Sequence, residues 1–275
     1  MEQKNVILGG VEIGNKLPFA LIGGPCQIES MQHAIDICGA LVEITNELGI
    51  PYVFKASFDK ANRSSISSAR GVGFEKGMET FDQIKKLYKG VPIVTDVHET
   101  WQCEEVAKHV DMLQIPAFLC RQTDLVIAAA ETGKAVNIKK GQFLSPGDMV
   151  NAVKKCASVG NQNVCLTERG TSFGYGSLIV DMTGLSTMAK TTGCPVIFDA
   201  THSVQQPGAL GTSTGGNREM APILARAAIA AGVAAVFIET HENPDKALSD
   251  GPNSIALKDM KSILQDLKEY DIITK

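Results

Sequence analysis

From residue 31 to residue 48, apolar side chains return at Ile35, Cys38, Leu41, Val42 and Leu48, at intervals near three, four and seven that align them on one helix face. Ser30 stands where a hydroxyl can accept from the first free backbone N–H groups, and Gly49 where a left-handed residue ends a helix. The pattern predicts an amphipathic helix from Ser30 to Leu48. Elsewhere the signal changes. Eight short runs, at 19–23, 52–56, 92–97, 112–116, 135–138, 164–167, 195–198 and 234–238, are apolar almost without interruption and rich in β-branched residues. Such runs fit strands covered on both faces, as in a parallel sheet, rather than the strict alternation of a half-solvated one. Two further runs, at 6–8 and 11–13, flank Gly9-Gly10, a turn signal that predicts a hairpin within residues 1–15.

Strands alternating with helical segments around a ring predict an α/β fold, a (β/α)8 TIM barrel, with the short N-terminal β-hairpin closing the bottom of the barrel. A chain of 275 residues with 44% hydrophobic and 20% charged content can bury one large core, so one barrel domain over 1–275 is expected. The glycine-rich stretch 208–216 reads as a long mobile loop after the seventh strand. Chemistry in such a barrel belongs at the C-terminal ends of the strands.

A formal charge of -4 gives no global attraction to nucleic acid or to an anionic membrane, so neither is expected as a partner and a small molecule is. The seven cysteines show no CxxC spacing, which argues against a disulfide framework or zinc ribbon and for a reducing compartment. The first residues lack a leader-like pattern, and the longest apolar run, 227–238, is too short to span a bilayer. A cytoplasmic protein is the expectation.

Basic residues cluster at strand ends despite the acidic total. Lys55, Lys60 and Arg63 follow the second strand with Asn62, Ser64 and Ser65 between and beside them; Lys139-Lys140 ends the fifth strand and Glu168-Arg169-Gly170 the sixth. Arginine forks with amide and hydroxyl donors match phosphate oxygens, so a phosphorylated substrate, with more than one anionic group, is expected at that rim. Asp96 and His98 close the third strand on one side by its period of two, and Gln114 closes the fourth. His98 either touches substrate or orders the pocket. Cys26, His202, Glu239 and Asp250 lie at or just beyond the ends of strands one, seven and eight, neighbours in a closed barrel. A thiolate, an imidazole and two carboxylates suit a divalent transition metal ion (Fe, Zn, Mn or Co) better than Mg or Ca. His241 competes with Glu239 for the ligand role, since both share a strand face.

The segments GGPCQIES, YVFKASFDKANRSS, TDVHE, LQIPAFLCRQTDL, NIKKGQF, ERGTSFGY, FDATHS and SDGPN together resemble the 3-deoxy-D-manno-octulosonate 8-phosphate synthase family over nearly the whole chain. The resemblance implies a transferase that condenses phosphoenolpyruvate with D-arabinose 5-phosphate and water and releases inorganic phosphate, on the route to the inner sugar of lipopolysaccharide. The related synthase that uses erythrose 4-phosphate carries a KPRTS-like segment where this chain has KANRSS, and it supplies the alternative. A metal-dependent aldolase, which releases no phosphate, and a non-enzymatic sugar-phosphate sensor are remoter ones.

By the same resemblance, Lys55, Lys60, Gln114, the backbone of Ala117, Lys139 and Arg169 hold phosphoenolpyruvate, while Asn62, Arg63 and Ser64 hold the aldose phosphate. Phe118 and Arg121 resemble residues that reach an adjacent subunit's aldose-phosphate site, which implies a homotetramer. Members with cysteine in the first-strand motif are metal-dependent, so Cys26, with His202, Glu239 and Asp250, implies a bound ion. Lys55, Lys60, Asp96, His98 and His202 are the residues expected to act at the reacting atoms.

Overall fold

In the computed structural model, described over residues 2–208 and 214–275, the chain closes into the expected barrel. Strands β1 (Val6–Leu8) and β2 (Val11–Ile13) form an antiparallel hairpin with Val6 opposite Ile13. The parallel barrel strands begin with β3 (Ala20–Gly24), β4 (Tyr52–Lys55), β5 (Ile93–Asp96), β6 (Met112–Ile115), β7 (Ala135–Lys139) and β8 (Val164–Glu168). A small hairpin, β9 (Thr171–Ser172) with β10 (Leu178–Ile179), precedes β11 (Val196–Asp199). Then β12 (Gln205–Gln206) pairs with β13 (Gly215–Gly216), and β14 (Ala235–His241) completes the ring by pairing with both β11 and β3; β15 (Ile255–Ala256) extends its end. The ends of the expected 208–216 loop are therefore tied as a two-residue ladder. Its centre, 209–213, lies outside the described residues.

Helices α1 (Met31–Leu48), α2 (Phe74–Leu87), α3 (Thr100–Ala107), α4 (Thr123–Glu131), α5 (Met149–Ser158), α6 (Met182–Thr192), α7 (Met220–Ala230) and α8 (Met260–Thr274) ring the barrel. The first shows why the sequence pattern worked. Ser30 accepts from the backbone N–H of His33, and Gly49 ends the helix at φ 65°. Its buried stripe is Ala34, Ile37, Cys38, Leu41 and Thr45, with Ile35, Val42 and Leu48 half-buried at the edges, so the stripe is turned slightly from the expected one.

The apolar interior has two parts. The larger lies between barrel and helices. The smaller fills the bottom of the barrel, where Val6, Leu8 and Ile13 of the hairpin pack against Ile22, Val53, Val94, Met112, Ile197 and Phe237. The hairpin thus plugs the N-terminal end, each buried aliphatic side chain contributing roughly 1.5–3 kcal/mol. All seven cysteines are buried and free. Among the described residues no helix is long and apolar enough to cross a membrane.

Several strands run past their expected ends to Lys139, Glu168 and His241. Polar residues at a strand exit read as loop in a sequence; in a barrel they line the mouth.

Candidate active site

The strand period of two builds the site in layers. Above the inward-facing apolar layer of Val53, Val94, Met112, Ile197 and Phe237 stand, two residues further on, Lys55, Asp96, Gln114, Asp199 and Glu239. Lys139 and Arg169 extend the same parity beyond Asn137 and Thr167. Gly24 occupies the matching place on β3, where an added Cβ would sit 2.0 Å from the Lys55 carbonyl oxygen, so β3 and β4 can close here only around glycine.

Lys55 is 1% exposed and its Nζ lies 2.9 Å from Ser57 Oγ, 3.4 Å from Glu239 Oε1 and 3.8 Å from Asp96 Oδ1. Lys60 reaches the same Glu239 oxygen at 3.9 Å. Lys139 lies 2.5 Å from Asp199 Oδ2 and 4.2 Å from the centre of the Phe237 ring, which also lies under Lys55. A buried charge needs a partner of opposite sign, and each lysine here has one. The titrations follow from this packing. Burial opposes the charge on Lys60, but the surrounding Cys26, Glu239 and Asp96 outweigh it and raise its pKa. Burial and the nearby Lys55 together outweigh Asp199 at Lys139 and lower its pKa. Burial would raise the pKa of Asp96, yet Lys55 and His98 hold it well below the usual carboxylate range.

Asp96 accepts from Ser57 Oγ at 2.5 Å and lies 2.9 Å from His98 Nε2. His98 thus braces the Asp96 carboxylate, an arrangement compatible with either of the two roles open to it. Gln114 Oε1 accepts from Asn137, whose own oxygen accepts from Thr167 Oγ1. Arg169 donates through Nη2 to Gln205 Oε1, while its buried Nη1 has no hydrogen-bond partner. A buried guanidinium nitrogen in that condition is suited to an anion.

Cys26, His202, Glu239 and Asp250 converge. Cys26 Sγ lies 3.3 Å from Asp250 Oδ2, His202 Nε2 lies 3.5 Å from both carboxylates, and ligand atoms of Cys26, Glu239 and Asp250 lie within 4.8 Å of one another. Asp250 adopts φ 49°, the one non-glycine residue with positive φ among those described. That backbone is held by Asn253 and Ser254 N–H groups donating to the Asp250 carbonyl, and costs of this kind concentrate at functional sites. Burial first, then Asp250 and Glu239, push the Cys26 thiol well above its ordinary pKa, whereas His202 and the lysines keep Glu239 low despite its burial. The donor set fits a divalent transition ion: Glu239 Oε2 is buried without a hydrogen-bond partner while Oε1 faces the lysines.

Two sequence expectations change. Lys140 does not join the mouth; one residue out of phase with Lys139, it faces outward, fully buried, 3.5 Å from Glu168. His241 does not compete for the ion, because beyond Glu239 the strand end turns it toward Glu29, Glu242 and His33. Arg63 clamps two loops by donating to the carbonyls of Ala69 and Leu248. Ala117 is buried just after β6, whereas Phe118 is 57% exposed and Arg121 is exposed too. Among the described residues, the polar contacts of the mouth include none from Asn62, Ser64, Phe118 or Arg121.

Asp199 is one residue that sequence reasoning missed. Its Oδ2 faces both Lys139 and, at 2.8 Å, Nδ1 of His202, and Oδ1 accepts the His202 backbone N–H. It thereby turns Nε2 toward Cys26, Glu239 and Asp250. The available signal was its place three residues before His202 at the end of an inward-facing run. Ser57 and Gln205, which orient Lys55, Asp96 and Arg169, were missed as well.

A closed parallel barrel whose mouth gathers buried cations beside a candidate metal centre defines a (β/α)8 protein. More narrowly, the chain belongs to the DAHP synthetase I family, whose model matches residues 2–275. It is 58% identical over 270 residues to a protein of Rhodopseudomonas palustris named 2-dehydro-3-deoxyphosphooctonate aldolase, covering 98% of this chain and 94% of that one. Proteins of the same name from Bradyrhizobium diazoefficiens and Nitrobacter hamburgensis are 58% and 57% identical, each across 98% of this chain and 95% and 94% of their own lengths.

Proposed function

We propose that the mouth condenses phosphoenolpyruvate with D-arabinose 5-phosphate and water to give 3-deoxy-D-manno-octulosonate 8-phosphate and inorganic phosphate, a step in lipopolysaccharide sugar synthesis in the cytoplasm. The observation that carries this reading is the inward-facing stack of Lys55, Lys60, Lys139 and Arg169 directly beside the Cys26–His202–Glu239–Asp250 cluster. The names of the relatives support it.

Lys55, Lys60, Lys139, Arg169 and Gln114, with the Ala117 backbone, grip the phosphate and carboxylate of phosphoenolpyruvate. Asn62, Arg63 and Ser64 on the loop after β4 take the aldose phosphate. These contacts bring the enol carbon to the aldehyde carbon, where the new carbon–carbon bond forms. Water adds to the carbon that bears the phosphate, and phosphate departs. Orientation of this kind is worth several kcal/mol, up to about 7–11 in well-aligned systems. Cationic groups around the phosphate and carboxylate stabilise the charge that develops as the bond breaks. Cys26, His202, Glu239 and Asp250 would hold an ion, Fe, Zn, Mn or Co, which supplies positive charge and Lewis acidity beside the aldehyde. Its charge would also satisfy Glu239 and Asp250, leaving Lys55 and Lys60 for the substrate anions. Phe118 and Arg121, exposed on the loop after β6, are available to a neighbouring subunit of a homotetramer.

Phosphate release measured with phosphoenolpyruvate and either arabinose 5-phosphate or erythrose 4-phosphate, at equal concentrations, tests the reading. Release with the five-carbon aldose is expected to dominate. Preference for the four-carbon aldose, or condensation without phosphate release, would overturn it.

A further inference from the structure

A second group of imidazoles and carboxylates lies outside the mouth, where the end of β14 meets the start of α1. His241 is the last residue of β14 and is 5% exposed; His33 comes from the first turn of α1, and the ring centroids stand 4.8 Å apart. Glu242 Oε2 lies 2.9 Å from His33 Nε2 and 3.2 Å from His241 Nδ1. The opposite nitrogens, His33 Nδ1 and His241 Nε2, are buried with no hydrogen-bond partner. Glu29 brings Oε1 to 3.4 Å from His241 Nε2. Ligand atoms of Glu29, His33 and His241 all lie within 4.8 Å of one another.

We propose that Glu29, His33 and His241 form a second site for a divalent transition ion of the zinc or cobalt kind, separate from the Cys26 cluster, with Glu242 orienting both rings. A carboxylate that faces one nitrogen of an imidazole holds the proton there and leaves the other lone pair for a metal. Glu242 does this for His33 and stands 3.2 Å from His241 Nδ1, close enough to do so for the second ring. The Asn243 N–H donates to His241 Nδ1 at 2.9 Å. For Nε2 to bind an ion, the ring proton of His241 must move to Nδ1, where Glu242 accepts it in place of the Asn243 N–H, which gives up its bond to Nδ1. Among the described residues no lysine or arginine pairs with Glu29 or Glu242, whose negative charges face only the imidazoles and backbone.

Two imidazoles and one carboxylate are a three-ligand set suited to zinc-like ions, with a fourth position left open. Tetrahedral bonds of ~2.1 Å set ligand atoms about 3.4 Å apart, so the group closes by side-chain rotation of the partly exposed Glu29. Glu29 Oε1 also accepts the Leu248 N–H at 2.9 Å, and the Leu248 carbonyl accepts from Arg63 at 2.7 Å. An ion here would brace the loop that carries Asp250. The site stands on this geometry and not on the proposed activity.

Equilibrium dialysis against cobalt(II), with metal analysis and an electronic spectrum, tests the site without reading turnover. The native chain should bind two equivalents, one of them giving a thiolate-to-cobalt charge-transfer band from Cys26. His33→Gln and Glu29→Gln should each lose one equivalent and keep that band, and Cys26→Ser should lose the band while an equivalent with nitrogen and oxygen ligands remains. Circular dichroism and the melting midpoint check that each variant is folded, and the two single-site variants stand in for one another if either is not. A native chain whose only bound equivalent carries the thiolate band, or unchanged binding in both His33→Gln and Glu29→Gln, overturns the proposal.

Discussion

Asp199 holds a lysine and a histidine with one carboxylate oxygen, and so links the cationic floor to the candidate metal cluster. Asp199→Asn keeps the size but cannot neutralise Lys139 or face the His202 ring with a negative charge. Loss of such an outer partner costs ~10–100-fold in metal affinity or activity. Metal titration and the KM for phosphoenolpyruvate should worsen together; a change in one alone would separate the two roles. Arg63→Ala should raise the KM for the aldose phosphate by about 10–100-fold, the scale of a hydrogen bond to a charged group, and leave that for phosphoenolpyruvate nearly unchanged. Equal losses for both substrates would show that Arg63 acts mainly by clamping Leu248. Asp96 makes a prediction about pH. Its folded pKa is held below that of an unfolded aspartate, about 3.9, so its contribution is complete above that pH and is lost as pH falls through the folded value. Asp96→Asn also strips one of two carboxylates from Lys55 while Glu239 remains, so the cost near neutrality should lie below the ~3–5 kcal/mol of a buried charge left unpaired. In urea unfolding, the gap between native and variant should narrow below pH ~4, and a gap constant with pH would contradict the assignment. None of these pairings is written in local sequence. Cys26, His202, Glu239 and Asp250 were legible by donor type and strand position, but the contact of Lys139 with Asp199 joins β7 to β11, and only the closed barrel shows it.

At the level of elements, the apolar period identified every barrel strand and α1 because burial on both faces leaves few polar interruptions. It failed where strands end in the mouth. Lys139, Glu168 and His241 carry backbone pairing onward or close a strand, yet their side chains serve the site or its surroundings. Parity would have told Lys139 from Lys140, since only the former continues the inward series through Asn137. The hairpin and helix caps contribute stability at a distance from the chemistry. Ile13→Ala in the barrel plug should lower unfolding free energy by about 2–5 kcal/mol with kcat retained in folded protein. Ser30→Ala, which removes the α1 cap, should cost roughly 1 kcal/mol. Thermal or urea unfolding checks both; a fall in kcat for the Ile13 variant would mean that the plug also shapes the mouth.

The molecule as a whole carries -4 formal charge but gathers buried lysines and an arginine at one end of its barrel. That concentration is stable because Asp96, Asp199 and Glu239 stand among them. The same balance explains how anionic substrates and a divalent ion could be accommodated together: the ion takes the carboxylates and the substrate takes the cations. Substrate anions and ion would thus share one mouth. Phosphate release from phosphoenolpyruvate in the presence of arabinose 5-phosphate, followed in chelator-stripped protein and again after adding back a divalent transition ion, tests it most directly. Release is expected to be absent in the stripped protein and restored by the ion, with one phosphate formed per aldose consumed. Full turnover in rigorously metal-free protein, or no release under either condition, would contradict it.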